Sequence, residues 1–350
     1  MLSSSRDLAV GFIETSTLDI TNGGAVVSMD GLIGTSDVES GLIGIGTVTV
    51  RGPGSSWTNS GTLWIGGHPN VDDGTGTLTI AEGGTVSVGI DVDVYPDGLV
   101  QLEGGTLTTS SIDFLHGGEV RLQGGTLDVG TIRFHGAEQF QQFHWLSGTL
   151  HVNNYAGTLF NDGGTLAPGR SIGATTIGGS YVQFPSAELE IEIGPFGDPQ
   201  NDVVNVAFNT SLNGQLRLAL IDGFVPTAQQ TFTILSAGIQ TGSLSGAFSN
   251  VATGQRLTTV DGLGSFRVHY GQGSAFDPKQ IVLTNFLSAT PGDCHIDGRV
   301  DLDDCTPFPN CMGGPGVPYD PTKCECIDLN RDGAVDLSDF ADFQSAFTGP

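Results

Sequence analysis

Lysine is nearly absent from this 350-residue chain: two lysines and ten arginines stand against 38 acidic residues, for a formal net charge of −26. A surface so short of cations repels phosphate backbones and anionic headgroups, so neither nucleic acid nor anionic lipid is an expected partner. Long apolar runs are missing too. No stretch approaches the roughly 18 residues that cross a bilayer as a helix, so no membrane span is expected. The start, "MLSSSRDLAVGFIETSTLDI", has only a short apolar patch before Glu14 and makes a poor signal peptide. An export signal upstream of residue 1 is the expectation. Cysteine is absent from the first 293 residues, and all five cysteines lie between Cys294 and Cys326. Before residue 290 no segment of useful length shows a helical period.

The cysteine break marks a boundary near Ser288–Asp293. It divides a body, residues 1–289, from a tail, residues 291–350. Two domains also suit the length. Five cysteines predict two bridges and a spare thiol in an oxidising compartment, with the pairing open. Zinc is disfavoured, because Cys324 and Cys326 are one residue apart and Cys305 and Cys311 five, neither being a C-x2-C spacing.

The body is rich in glycine, of which the whole chain has 54 residues. A small unit recurs: "GTVTV" at Gly46, "GTLWI" at Gly61, "GTLTI" at Gly76 and "GGTVSV" at Gly83. It continues as "GGTLTT" at Gly104, "GGTLDV" at Gly124, "SGTLHV" at Ser147 and "GGTLAP" at Gly163. Early copies lie 15 residues apart. Later ones, read at Thr85, Thr106, Thr126 and Thr149, lie 21, 20 and 23 apart. Alternating apolar and polar residues bounded by glycine signal strands. Short strands, glycine corners and a period near twenty predict a mainly β fold, a right-handed parallel β-helix or solenoid. At about 20 residues and 4.8 Å per turn, the body would make about 14 turns and a rod about 65–70 Å long. The GG pairs would supply positive φ at corners. An antiparallel β-sandwich pair is the alternative, since 15 residues also suits hairpins.

The segment "NDGGTLAPGRSIGATTIGGSYVQ", Asn161–Gln183, resembles one found near the end of autotransporter passenger β-helices and related bacterial surface repeat proteins. The next segments, "AELEIEIG", "DVVNVAFNTSLNGQLRLAL" and "GFVPTAQQTFTILSAG", resemble them as well. The resemblance runs from about Gly46 to Phe286 and implies an exported, elongated β-helical body without a defined activity. No run of amphipathic ten-residue strands ends the chain as a membrane barrel, so self-translocation is not expected.

An enzymatic body would need clustered carboxylates, or acids beside a base. Asp91 and Asp93 in "GIDVDVYPDG" share a strand face. With Ile90, Val92 and Val94 pointing inward, an ordinary solvated face is the simpler account. Glu190 and Glu192 repeat the pattern. His68, His116, His135, His144 and His151 have no ligand spacing, and there is no G-x-S-x-G or P-loop. His144 and Trp145 with Phe140 and Phe143 form an aromatic cluster that suits core or turn packing better than a sugar platform.

The tail carries sharper chemistry. In "DLNRDGAVDLSD", Asp328–Asp339, oxygen donors occupy positions 1, 3, 5, 9 and 12, with glycine at 6. Calcium takes six to eight oxygens at about 2.3–2.6 Å, and a twelve-residue loop can supply them. The expected ligands are Asp328, Asn330, Asp332, the carbonyl of Ala334, Asp336 and Asp339, with Val335 packing inward. A second copy, "DCHIDGRVDLDD", runs from Asp293 to Asp304 and starts 35 residues earlier. Its expected ligands are Asp293, His295, Asp297, the carbonyl of Arg299, Asp301 and Asp304. Neutral imidazole is a poor calcium ligand, so the first of the two Ca²⁺ sites should be weaker. Residues 291–350 hold 12 acids and three bases, net −9, which favours a bound cation. After the second loop, Phe340, Phe343 and Phe347 predict one apolar helix face. After the first, Pro307 and Pro309 limit any helix to about one turn, and bridges would replace its packing.

Aspartate at position 12 and two paired loops resemble a dockerin type I module over residues 292–349. They also resemble the cysteine-bearing dockerin-like tails of planctomycete-type surface proteins. The resemblance implies calcium-dependent folding and a cohesin-like partner. However, Leu302–Asp303 and Leu337–Ser338 stand where a hydroxyl pair and basic residues usually recognise cohesin. The expectation is a secreted or cell-surface structural protein, a stalk or adhesin, contacting a cohesin-like protein or a cell-surface polysaccharide. The alternative is a polysaccharide-active lyase or hydrolase.

Overall fold

A computed structural model describes all residues except 1, 4, 5, 38–41, 70, 72, 116, 137–141, 198, 321–323, 331, 349 and 350. His116 and Phe140 therefore lie outside the described residues. The chain is mainly β, and most of its strands pair in parallel.

The glycine-bounded units form the strands, and each pairs with a strand one repeat away. Thr15–Ile20, Ile45–Arg51, Thr75–Ala81, Gly98–Glu103, Glu119–Phe134 and Phe143–Tyr155 succeed one another in register. Their inward residues stack in a ladder of Ile20, Val50, Ile80, Leu102, Leu122 and Trp145. A second ladder runs Val26, Trp57, Val86, Leu107, Leu127, Leu150, Leu166, Leu189 and Leu216. All fifteen side chains are buried. Burial of each is worth about 1.5–3 kcal/mol, so like-on-like stacking is the main source of cohesion.

Two expectations change. The copies at Gly46 and Gly61 are not neighbours in a hairpin: Gly46 pairs with Gly76, and Leu63 pairs with Gly31 and Val92. Fifteen residues is half of a longer repeat, 31 from Val26 to Trp57 and 29 from Trp57 to Val86, which shortens to 21 at Leu107. Every pairing between strands that both precede Phe232 is parallel, so the antiparallel sandwich fails there. The longer early repeat also leaves fewer rungs than 14. The second ladder has nine, eight steps at about 4.8 Å, or about 38 Å.

The GG pairs divide their work. Gly83 and Gly104 sit at φ 82° and 90°. A Cβ on Gly84 would meet the Val50 carbonyl, and one on Gly105 the Ile80 side chain. One glycine of each pair turns the chain and the other lets the next rung approach.

The last strands of the body break the parallel rule. Phe232–Ser236, Gln280–Ser288, Gly264–His269 and Arg256–Thr258 pair antiparallel in that order. They cover the last rung, where an open parallel edge would otherwise invite further strands. Beyond them a separate apolar cluster gathers Val300, Phe308, Cys311, Cys324, Ile327, Val335 and Phe343. Its helices are short: Phe308–Cys311, one turn with Pro309 near its start as expected, and Leu337–Ala346. Phe347 lies past the end of the second helix, half exposed, so the expected three-phenylalanine face shrinks to Phe340 and Phe343, which meet Phe308 edge-on.

Candidate functional site

The two acidic loops fold alike. In the first, the Asp293 carboxylate accepts the N–H of Asp297 at 3.1 Å and of Gly298 at 2.9 Å. In the second, Asp328 accepts the N–H of Asp332 at 3.2 Å and of Gly333 at 3.0 Å. Position 5 caps position 7 in both, Asp297 to Arg299 and Asp332 to Ala334, at 2.9 Å each. Position 9 caps position 11, Asp301 to Asp303 and Asp336 to Ser338. Position 12 closes each loop: Asp304 accepts from His295 and Asp301, and Asp339 from Asn330 and Asp336. Gly298 and Gly333 take φ of 91° and 84°, which a side chain would resist.

This arrangement draws carboxylates inward. Asp293, Asp304, Asp328, Asp336 and Asp339 are buried, Asp339 completely. Burial, its first cause, raises the Asp293 carboxyl above its usual range. Among the described residues the one ion pair in these loops is His295 Nδ1 to Asp304 Oδ1, 3.0 Å. Neutral N–H groups only partly replace water around buried negative charge. The donor set, carboxylates with one amide and a position-7 carbonyl, is that of a hard cation and so fits calcium. No three Asp, Glu, His or Cys side chains among the described residues are gathered at metal-binding spacing, because each loop carboxylate faces backbone N–H groups instead. Asn330, Asp332, His295, Asp297 and Arg299 are exposed, Asp301 is half-buried, and Ala334 is buried against a bridge to Pro318.

The loops differ at position 3. Asn330 Oδ1 accepts the N–H of Asp332 at 2.9 Å, whereas His295 turns its ring onto Asp304. In the second loop Tyr319 donates its hydroxyl to Asp328 at 3.0 Å. Val300 and Val335, the eighth residues, are both buried. Cys294 and Cys326 stand at disulfide distance, as do Cys311 and Cys324, leaving Cys305 as the free thiol. The first pair ties position 2 of the first loop to the approach to the second. Cys294→Ser/Cys326→Ser should remove about 3–4 kcal/mol of stability from this region, by the loop-closure estimate for a 32-residue separation. Faster amide exchange at Val300 and Val335 with unchanged exchange at Leu107 would show it. The region is also fastened to the body. Arg256 Nε donates to the Ile296 carbonyl at 3.3 Å, and the Ser265 hydroxyl donates to the same oxygen.

On the body, Glu190 and Glu192 alternate with buried Leu189, Ile191 and Ile193, as a solvated strand face should. Phe143 and Trp145 are core, also as expected. The reading of Asp91 and Asp93 needs correction. Ile90 is not inward but 51% exposed. One extra residue lies between Val88 and Asp91 relative to the neighbouring strand, and this shift re-aims the side chains from Asp91 to Val94. Asp93 sits in register with Asp113, and Asp113 with Arg133. Arg133 Nη1 reaches Asp113 Oδ2 at 2.6 Å, and His135 Nε2 reaches Asp113 Oδ1 at 2.8 Å. The roles of Asp113, Arg133 and His135 were not foreseen from the sequence. The signal was there: residues 93, 113 and 133 keep the 20-residue period.

No helix among the described residues is long and apolar enough to cross a membrane. No family model matches the chain, and no curated protein matches it significantly.

Proposed function

We propose that the chain is an exported structural protein: a right-handed β-solenoid body, residues 1–289, with a calcium-stabilised, dockerin-like docking module at residues 291–350. The observation that carries this reading is the shared hydrogen-bond pattern of the two acidic loops, which buries five carboxylates around neutral donors. Calcium would be held by the carboxylates of each loop with the carbonyls of Arg299 and Ala334, and would neutralise the charge that folding buries. The first loop is the weaker, because His295 contributes a ring already engaged with Asp304. The solenoid reading is supported by the parallel ladders with repeats of 20 to 31 residues. Export is supported by the two cysteine pairs at disulfide distance.

Docking would use the start of each helical segment. Leu302 and Leu337, both at position 10, are 69% and 74% exposed. Two large apolar side chains at matching positions suit a partner with paired apolar sockets, such as a cohesin-like protein. Calorimetric calcium titration of the full chain tests the reading. Two unequal binding events are expected, the weaker strengthened by His295→Asn. Absence of any saturable event would sink the module.

A further inference from the structure

One row on the outer side of the parallel stack does not look like its neighbours. Trp64, Asp93, Asp113 and Arg133 succeed one another in register. The adjacent row runs Asp91, Ser111, Thr131, Asn154, Thr176 and Asn205, neutral and polar after its first member. Asp93 thus lies about one strand spacing, roughly 4.8 Å, from Asp113, with Asp91 two residues away on the same face. Like charges in register destabilise a sheet. Such local conflicts concentrate at functional sites.

The charges are not equivalent. Asp113 is buried and held by Arg133 and His135, while the Ser111 hydroxyl donates toward both Asp91 and Asp113. Among the described residues Asp93 has no cation of its own, and burial first, then the Asp113 and Asp91 charges, push it up to about 6. Arg133 and His135 remain about half exposed, so the row is open to a ligand. Trp64 borders the acids, its ring edge-on to His68 at 5.0 Å. The one-residue shift between Val88 and Asp91 sets where the two strand carboxylates stand.

We propose that this row hydrolyses glycosidic bonds of a neutral polysaccharide, with Asp93 as proton donor, Asp91 as the base for water, and Asp113, Arg133 and His135 as positioning residues. Asp93 gives its proton to the glycosidic oxygen as the bond from that oxygen to the anomeric carbon breaks. Water bonds to the anomeric carbon and its released proton goes to Asp91. The products are a new reducing end and an alcohol, and solvent returns the proton from Asp91 to Asp93. Two acids whose surroundings separate their protonation states suit acetal hydrolysis. Three carboxylates against one arginine repel a polyuronate, which selects a neutral chain. An aromatic ring beside the acids suits the apolar face of a sugar. Positions i and i+2 of a strand lie about 6.6 Å apart, room for a water between the carboxyls, so the anomeric configuration should invert.

The full chain should be incubated with mixed-linkage glucan, xylan and galactomannan, with polygalacturonate and casein for comparison, and reducing ends and peptides measured. Release from at least one neutral polymer is expected, falling as pH rises through about 6, where Asp93 gives up its proton. Asp93→Asn and Asp91→Asn should each lower the rate about 100-fold or more, whereas Glu190→Gln should leave it unchanged. Arg133→Ala should move the alkaline limb to higher pH, because an uncompensated Asp113 holds the Asp93 proton more tightly. A melting curve for each variant separates lost activity from lost fold, and the pH profile of the unmodified chain stands without any variant. No release from the neutral polymers, cleavage of polygalacturonate or casein alone, or full activity in folded Asp93→Asn would overturn the proposal. Calcium chelation tests the tail and not this row, so the two readings fail separately.

Discussion

Asp339→Asn is expected to weaken the stronger calcium event of the full chain by about 100-fold, about 2.7 kcal/mol at 1.36 kcal/mol per tenfold. Asp339 is the most buried acid of the second loop and holds both of its halves. One oxygen accepts the N–H of Asn330, the other that of Asp336 at 2.8 Å, and Asp336 in turn caps the helix through the N–H of Ser338. An amide there removes a negative charge and sets an NH2 donor against a backbone donor. It also removes a favourable charge from a helix N-terminus. Because calcium binding and folding of such loops are linked, the variant should also lose amide protection along Leu337–Ala346. Chelating calcium from the unmodified chain should give the same change in exchange. Protection that is high in both chains with and without calcium would mean that the cysteine pairs and the Phe308–Phe343 packing suffice alone.

Trp57→Ala should be the most damaging single truncation in the first part of the body. Trp57 is fully buried between Val26 and Val86 in the long ladder, and its indole donates to the Ser28 hydroxyl at 3.0 Å, which donates to Asn59 at 2.8 Å. Truncation opens a cavity and strands a buried Ser–Asn pair, at about 3–5 kcal/mol. In a stack where each rung touches only its neighbours, the loss falls first on the rungs near it. Thermal unfolding should begin on the order of 10 °C lower, with exchange at Val26, Ile33 and Val48 rising before that at Leu189. A uniform rise over the whole body would mean that the rungs unfold as one unit.

Much of this was legible in the residues, for a definite reason. Strand character comes from alternation within five residues, and the loop donors from spacing within twelve; both are local, so composition and order determine them. Glycine pairs at corners were legible for the same reason. The acid count of the tail, the absence of a span and the two-bridge expectation were also plain in the sequence. Local order could not decide partnership. Copies 15 residues apart looked like hairpin neighbours, yet Gly46 chose Gly76, because parallel stacking buries Val48 and Val50 on Leu78 and Ile80. The inward place expected for Ile90 depended on an unbroken period of two, and one extra residue between rungs broke it. Only the tertiary register brought Asp93, Asp113 and Arg133 into one row, and only it matched Cys294 with Cys326. Sequence alone determined which residues can form strands and hold a cation. The fold decided which of them meet, since that depends on burial summed over many rungs and not on any one stretch of chain.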